Sequence, residues 1–164
     1  MDRMSIEIER KFLLTERVGK IVLQYPEVEF ALIEQRYLAK TGDWTIRIRK
    51  TVCGEKATYY LTLKRRINDL RCHEPETEIS AEFYETMAKQ CGPALRKIRH
   101  KLTHDSHLWE IDQFLNPELK GLVLAEIELD DEAGEFNRPS WVGEDVSHLR
   151  DYKNAFLARS LTSA

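Results

Sequence analysis

The chain has 164 residues and a mass of 19.3 kDa, enough for one domain with a sizeable core, so a single unit over 1–164 is expected. A net charge of −3 excludes a surface that is basic all over, the kind that attracts nucleic acid. Yet charged residues at 32% exceed the usual quarter, which leaves some charge with a use beyond solubility. Cys53, Cys72 and Cys91 form no Cys-x-x-Cys and no even framework. With no apolar leader and no run near the roughly 20 residues of a membrane span, they point to free thiols in a cytoplasmic protein that meets no membrane.

The first element is a strand over residues 5–12. Period-two alternation sends Glu7, Glu9 and Lys11 to one face and Ile6, Ile8, Arg10 and Phe12 to the other. Residues 15–23 read as a short amphipathic helix or loop closed by Tyr25 and Pro26. A second strand over 33–38 and a third over 44–50 follow, joined by a turn at Gly42, and the third places Arg47 and Arg49 opposite Ile46 and Ile48. Residues 58–64 give a fourth, with Tyr60, Thr62 and Lys64 opposite Leu61 and Leu63. Residues 74–79 give a fifth, with Glu76 and Glu78 aligned and Pro75 marking a strand end or edge.

Ser80 suits the N-cap of a helix over 81–90, whose apolar Phe83, Tyr84, Met87 and Ala88 recur at helical spacing before Gly92 and Pro93 stop it. Strand period returns over 96–102, with Lys97, Arg99 and Lys101 opposite Ile98, His100 and Leu102. Residues 108–114 then carry Glu110 and Asp112 on one side. An eighth strand over 122–129 aligns Glu126 with Glu128. A loop broken by Pro139 and Gly143 leads to a last helix over 152–161.

Eight short strands joined mostly by turns predict a mainly β protein of the α+β class: an eight-stranded antiparallel barrel with flanking helices. Alternation alone is equally met by a barrel with a greasy interior and charges outside. Two features favour the opposite. Like charges stacked along one strand, as Arg47 with Arg49 or Glu126 with Glu128, are a repulsive choice for a free surface. The two amphipathic helices also need apolar ground outside the barrel on which to dock. The charges are therefore expected to line the bore, where unpaired they would cost several kcal/mol each, so the bore should hold water, ions and a charged ligand. Arginine forks and lysines suit phosphate, and the carboxylates suit a hard cation such as Mg²⁺ or Mn²⁺.

Taken together, Glu7/Glu9/Lys11, Arg47 with Arg49, Lys64, Glu76 with Glu78, Arg99 with Lys101, Glu110 with Asp112, and Glu126 with Glu128 resemble the triphosphate tunnel metalloenzymes, also called the CYTH superfamily. Within it, the run from Ile8 to Leu13, the run from Trp141 to Val146, and Tyr152-Lys153-Asn154 look most like the small bacterial inorganic triphosphatases. The resemblance implies metal-dependent hydrolysis of inorganic triphosphate in a tunnel. In that picture Lys11, Arg47, Arg49, Lys64, Arg99, Lys101 and Lys153 bind substrate. Glu7, Glu9, Glu110, Glu126 and Glu128 hold Mg²⁺ or Mn²⁺, and Lys11, Tyr37, Glu76, Glu78 and Asp112 serve the chemistry. Class IV adenylyl cyclase, thiamine or nucleoside triphosphatase, and a non-catalytic polyphosphate-binding module are the alternatives. The expected partner is a triphosphate small molecule, with no nucleic acid or membrane, in a monomer or homodimer. His100, His104 and His107 lack a regular ligand spacing, and Trp44, Trp109 and Trp141 are read as packing residues.

Overall fold

A computed structural model describes residues 5–162. The strands are β1 (Ile6–Leu14), β2 (Val28–Thr41), β3 (Trp44–Cys53), β4 (Lys56–Arg66), β5 (Arg71–His73), β6 (Glu76–Glu78), β7 (Leu95–His104), β8 (His107–Phe114), β9 (Val123–Leu129) and β10 (Val142–Asp145). Helices are short: α1 (Val18–Val22), α2 (Ala81–Ala88) and α3 (Asn154–Arg159). β1 pairs with β5 on one side and β9 on the other, so the sheet closes on itself in the order β1-β5-β4-β3-β2-β7-β8-β9. The result is a closed eight-stranded antiparallel barrel.

Chain connectivity explains most of this wall. β2, β3 and β4 are long hairpin partners, and the glycines at the two tips, Gly42 (φ 56°) and Gly54 (φ 59°), supply the positive φ that tight hairpins need. The β7–β8 hairpin turns instead on Asp105 and Ser106, both at positive φ (44° and 66°). The fifth strand predicted over 74–79 is met by the shorter β6, which runs along β4, while β5, just before it and outside the predicted bounds, pairs with both β1 and β4. Pro75 sits between them without an N–H to offer, while its carbonyl accepts from the Leu63 amide. A tenth segment, β10, falls where the sequence suggested a loop; it adds to the end of β1, pairing Phe12 with Asp145 and Leu14 with Val142.

Apolar residues of β1, β7, β8 and β9 point out of the barrel and form the main core. Ile8, Phe12, Leu102, Trp109, Ile111 and Ile127 pack there under Ile21 of α1 and Trp141 of the 130–141 loop. Trp109 and Trp141 are fully buried, their rings 5.4 Å apart edge to face. α2, capped by Ser80 through the Phe83 amide, lies on the outside of β3 and β4, where Tyr84 meets Tyr59.

α3 corrects the expectation that both amphipathic helices dock on the outer wall. Its Leu157, with Leu161 just beyond it, packs on Leu95, Phe114, Leu124 and Leu13. Those four share strand parity with Lys97, Asp112, Glu126 and Lys11, so they belong to the inner face. The bore is charged along its length and apolar at one end, and α3 caps that apolar end.

Candidate active site

The inner faces of the barrel enclose a cavity of about 440 Å³. β1 brings Glu7, Glu9 and Lys11 to it, β2 Tyr37, β3 Arg47 and Arg49, and β4 Lys64. β6 brings Glu76, β7 Arg99 and Lys101, β8 Glu110, and β9 Glu126 and Glu128; Lys153 enters from the segment before α3. Register produces this convergence, because Lys11 faces Glu126 and Glu9 faces Glu128 across β1–β9, while Arg99 faces Asp112 across β7–β8.

Two residues from the expected set stand apart from this lining. Glu78 is exposed at the end of β6. Asp112 is fully buried beneath the cavity floor, where it accepts from Arg99 Nε and Nη2 at 2.7 and 2.8 Å and from Lys97 Nζ at 2.6 Å. Burial would raise the Asp112 pKa, but Arg99 and Lys97 hold it down at about 2. It fixes the Arg99 fork rather than touching anything in the cavity. Conversely, the cavity contains residues that sequence reasoning passed over. Glu74 is the most consequential: Arg47 Nη2 donates to it at 3.1 Å and Lys64 Nζ lies 3.0 Å from it. It shares parity with Glu76 and Glu78, a usable signal that Pro75 obscured by suggesting a strand end.

Like charges along one strand are answered by opposite charges on the next. Arg47 is held by Glu74, and by Glu76 at 3.6 Å; Thr62 Oγ1, which accepts from Arg47, donates to Glu76 at 2.7 Å. Lys11 sits 3.1 Å from Glu126, and Arg99 reaches Glu110 at 2.8 Å. Burial opposes ionisation of Glu74 and Glu126, yet Lys64 and Arg47 pull Glu74 to about 2, and Lys11 and Arg99 hold Glu126 well below the carboxylate range.

What remains unbalanced is informative. Arg49 has no carboxylate within ion-pair distance among the described residues, and its Nε is buried without a partner. Burial, with Arg47 and Arg99 alongside, lowers its pKa to about 10, leaving it cationic. On the acidic side, burial and the charge of Glu74 push Glu7 up to about 8, and burial and Glu126 push Glu9 up to about 7. Glu128 is raised too, by burial and then Glu110. A protonated Glu7 donates to Glu74, and a protonated Glu9 to Glu126. The cavity thus offers a free guanidinium to an anion and a set of hard carboxyl oxygens to a cation.

Tyr37 accepts from Gln35 Nε2 at 3.0 Å, so its own O–H proton is available to the cavity. The histidines serve elsewhere: His100 is buried beside Phe30, His104 bonds Tyr25 at 3.0 Å, and His107 packs near Phe136.

Comparison with known proteins places these features in company. The family model for the CYTH domain matches residues 5–160. An inorganic triphosphatase of Acetivibrio thermocellus is 34% identical over 159 residues, covering 96% of either chain. One from Nitrosomonas europaea is 34% identical over 162 residues, covering 94% of this chain and 98% of its own. The crystal structure of an inorganic triphosphatase superposes with a TM-score of 0.64 at 29% identity, covering 96% of this chain and all of that one.

Proposed function

Because this chain belongs to the CYTH-domain family, we propose that it hydrolyses inorganic triphosphate to pyrophosphate and phosphate inside its barrel. The observation that carries this reading is Arg49, a guanidinium with a buried Nε and no acidic partner among the described residues, set beside Arg47 and Arg99 in an enclosed cavity. An enclosed guanidinium without an acidic partner favours the binding of an anion beside it.

Arg47, Arg49 and Arg99 each present N–H groups suited to paired phosphoryl oxygens, while Lys64 and Lys101 act as point charges beside them. Glu74 holds Arg47 and Lys64, and Glu110 and Asp112 hold Arg99, before substrate arrives, so little ordering of these three is left for the moment of binding. Tyr37 donates its O–H to a phosphoryl oxygen. Water adds in line to the terminal phosphorus as its bond to the bridging oxygen breaks, and the charge that builds on departing pyrophosphate falls among the arginines.

The family resemblance implies a divalent metal, Mg²⁺ or Mn²⁺. Glu7, Glu9 and Glu128 fit one in donor chemistry, since they are hard oxygens whose pKa values are raised by burial and by neighbouring carboxylates, more than Lys64 and Lys11 lower those of Glu7 and Glu9. As they stand, no three such groups among the described residues meet at one ion position, and Glu110 and Glu126 are engaged by Arg99 and Lys11. When bound, the ion supplies neutralisation of phosphoryl charge. Phosphate release from triphosphate should stop in EDTA and return with Mg²⁺. Equal release in EDTA would remove the metal from this reading, and no release from triphosphate under any metal would remove the activity.

A further inference from the structure

Gln35 is a fully buried polar residue on the inner face of β2 that does not itself line the cavity. Two positions along the same face stands Tyr37, which does. The Gln35 amide meets two neighbours across the wall: Arg49, directly opposite on β3, and Leu95, directly opposite on β7. Leu95 has no polar group to offer, and Arg49 is a cation, so the β3 side favours the amide oxygen and leaves the amide N–H for the Tyr37 phenol. Both the Gln35 Oε1 acceptor and the Arg49 Nε donor, on these opposed positions, are buried without a partner. Packing alone does not call for such a group, since an apolar side chain of the same length would fill the place without an orphan atom.

The phenol needs holding. Tyr37 pairs with Arg47, but Ala39 already pairs with Ile46, so the β2–β3 ladder loses its regular register immediately beyond the tyrosine. Among the described residues, Gln35 is the only group hydrogen-bonded to the Tyr37 hydroxyl, its Nε2 donating at 3.0 Å. With one lone pair taken by that N–H, the O–H proton must point elsewhere, and Arg47 opposite has only donors and cannot receive it. The direction left is the cavity, where an acceptor oxygen would arrive. We infer that Gln35 is a positioning residue for the hydrolysis, holding the Tyr37 hydroxyl with its proton directed at a phosphoryl oxygen. This deepens the triphosphate reading above and rests on it. Gln35 acts only through the phenol and touches no substrate.

The test is steady-state phosphate release from inorganic triphosphate with Mg²⁺ by four full-length proteins: wild type, Q35M, Y37F and Q35M/Y37F. Q35M keeps the reach of the side chain and removes the amide. Its kcat should fall about tenfold, the scale of one charge-assisted hydrogen bond, while KM moves by less than about twofold. In the Y37F background the same change should move kcat by less than about twofold, because no hydroxyl remains to be directed. Should Q35M fail to fold, Q35L carries the same expectations. A kcat lowered by one factor in both backgrounds would overturn the positioning role, since that marks Gln35 as a packing residue. So would wild-type kcat in Q35M or in Y37F. Absence of phosphate release by wild type would instead overturn the triphosphate reading itself, a result seen before any substitution is made.

Discussion

Arg49 and Asp112 belong to the same charge network but answer to different tests. Removing Arg49 takes away a guanidinium that its neighbours Arg47 and Arg99 repel, so Arg49→Ala should leave melting unchanged or raised. Triphosphate hydrolysis should fall by at least about a hundredfold, the scale of one lost transition-state donor. Removing Asp112 strands Lys97 and Arg99 without their shared carboxylate, and breaking such a buried arrangement costs about 3–5 kcal/mol. Asp112→Ala should therefore lower the urea midpoint strongly, and a wild-type midpoint would show that the network contributes nothing to stability in solution. The charged pairs themselves were visible as i, i+2 repeats, which is why Glu7, Glu9, Arg47 and Arg49 could be named in advance. Their neutralisation across strands was invisible, because it depends on register, and so was the sealed position of Asp112, whereas the entry of Glu74 was signalled by its parity with Glu76 and masked by Pro75.

At the scale of elements, alternation located the long strands and the Ser80-capped helix, since each carries an unbroken periodic signal. It failed at β5 and β10, which are three and four residues long and are held mainly by neighbours. It also failed for the role of α3. A helix with Leu157 and Leu161 on one side declares an apolar partner, but not that the partner is the inner face at a barrel end. That docking makes α3 a structural plug as well as one wall of the cavity. Leu157→Ala should cost about 2–4 kcal/mol by thermal or urea unfolding, as for other buried leucines, and a cost near zero would mean that the plug is not packed.

The whole molecule balances two opposed sets of carboxylates, and its pH dependence follows from their signs. Glu7 and Glu9 titrate near 8 and 7 in the folded chain against 4.5 when unfolded, so the native state holds extra protons in between. Their contribution is complete below about pH 4.5 and is lost as pH rises through 7 and 8. Glu74 and Asp112 are depressed to about 2, so their contribution is present above the unfolded values and is lost as pH falls toward 2. Metal-free protein should accordingly melt highest at mildly acidic pH and lower by about pH 8.5, with Glu7→Gln flattening the alkaline side. A melting temperature that climbs steadily to about pH 8.5 would contradict the assignment.

Everything above depends on the bore being a phosphate-handling chamber. The most direct measurement is phosphate release from inorganic triphosphate with Mg²⁺, comparing wild type with folded Arg49→Ala. The account predicts robust turnover in wild type and a loss of at least about a hundredfold in the variant. Equal turnover in the two proteins would contradict it.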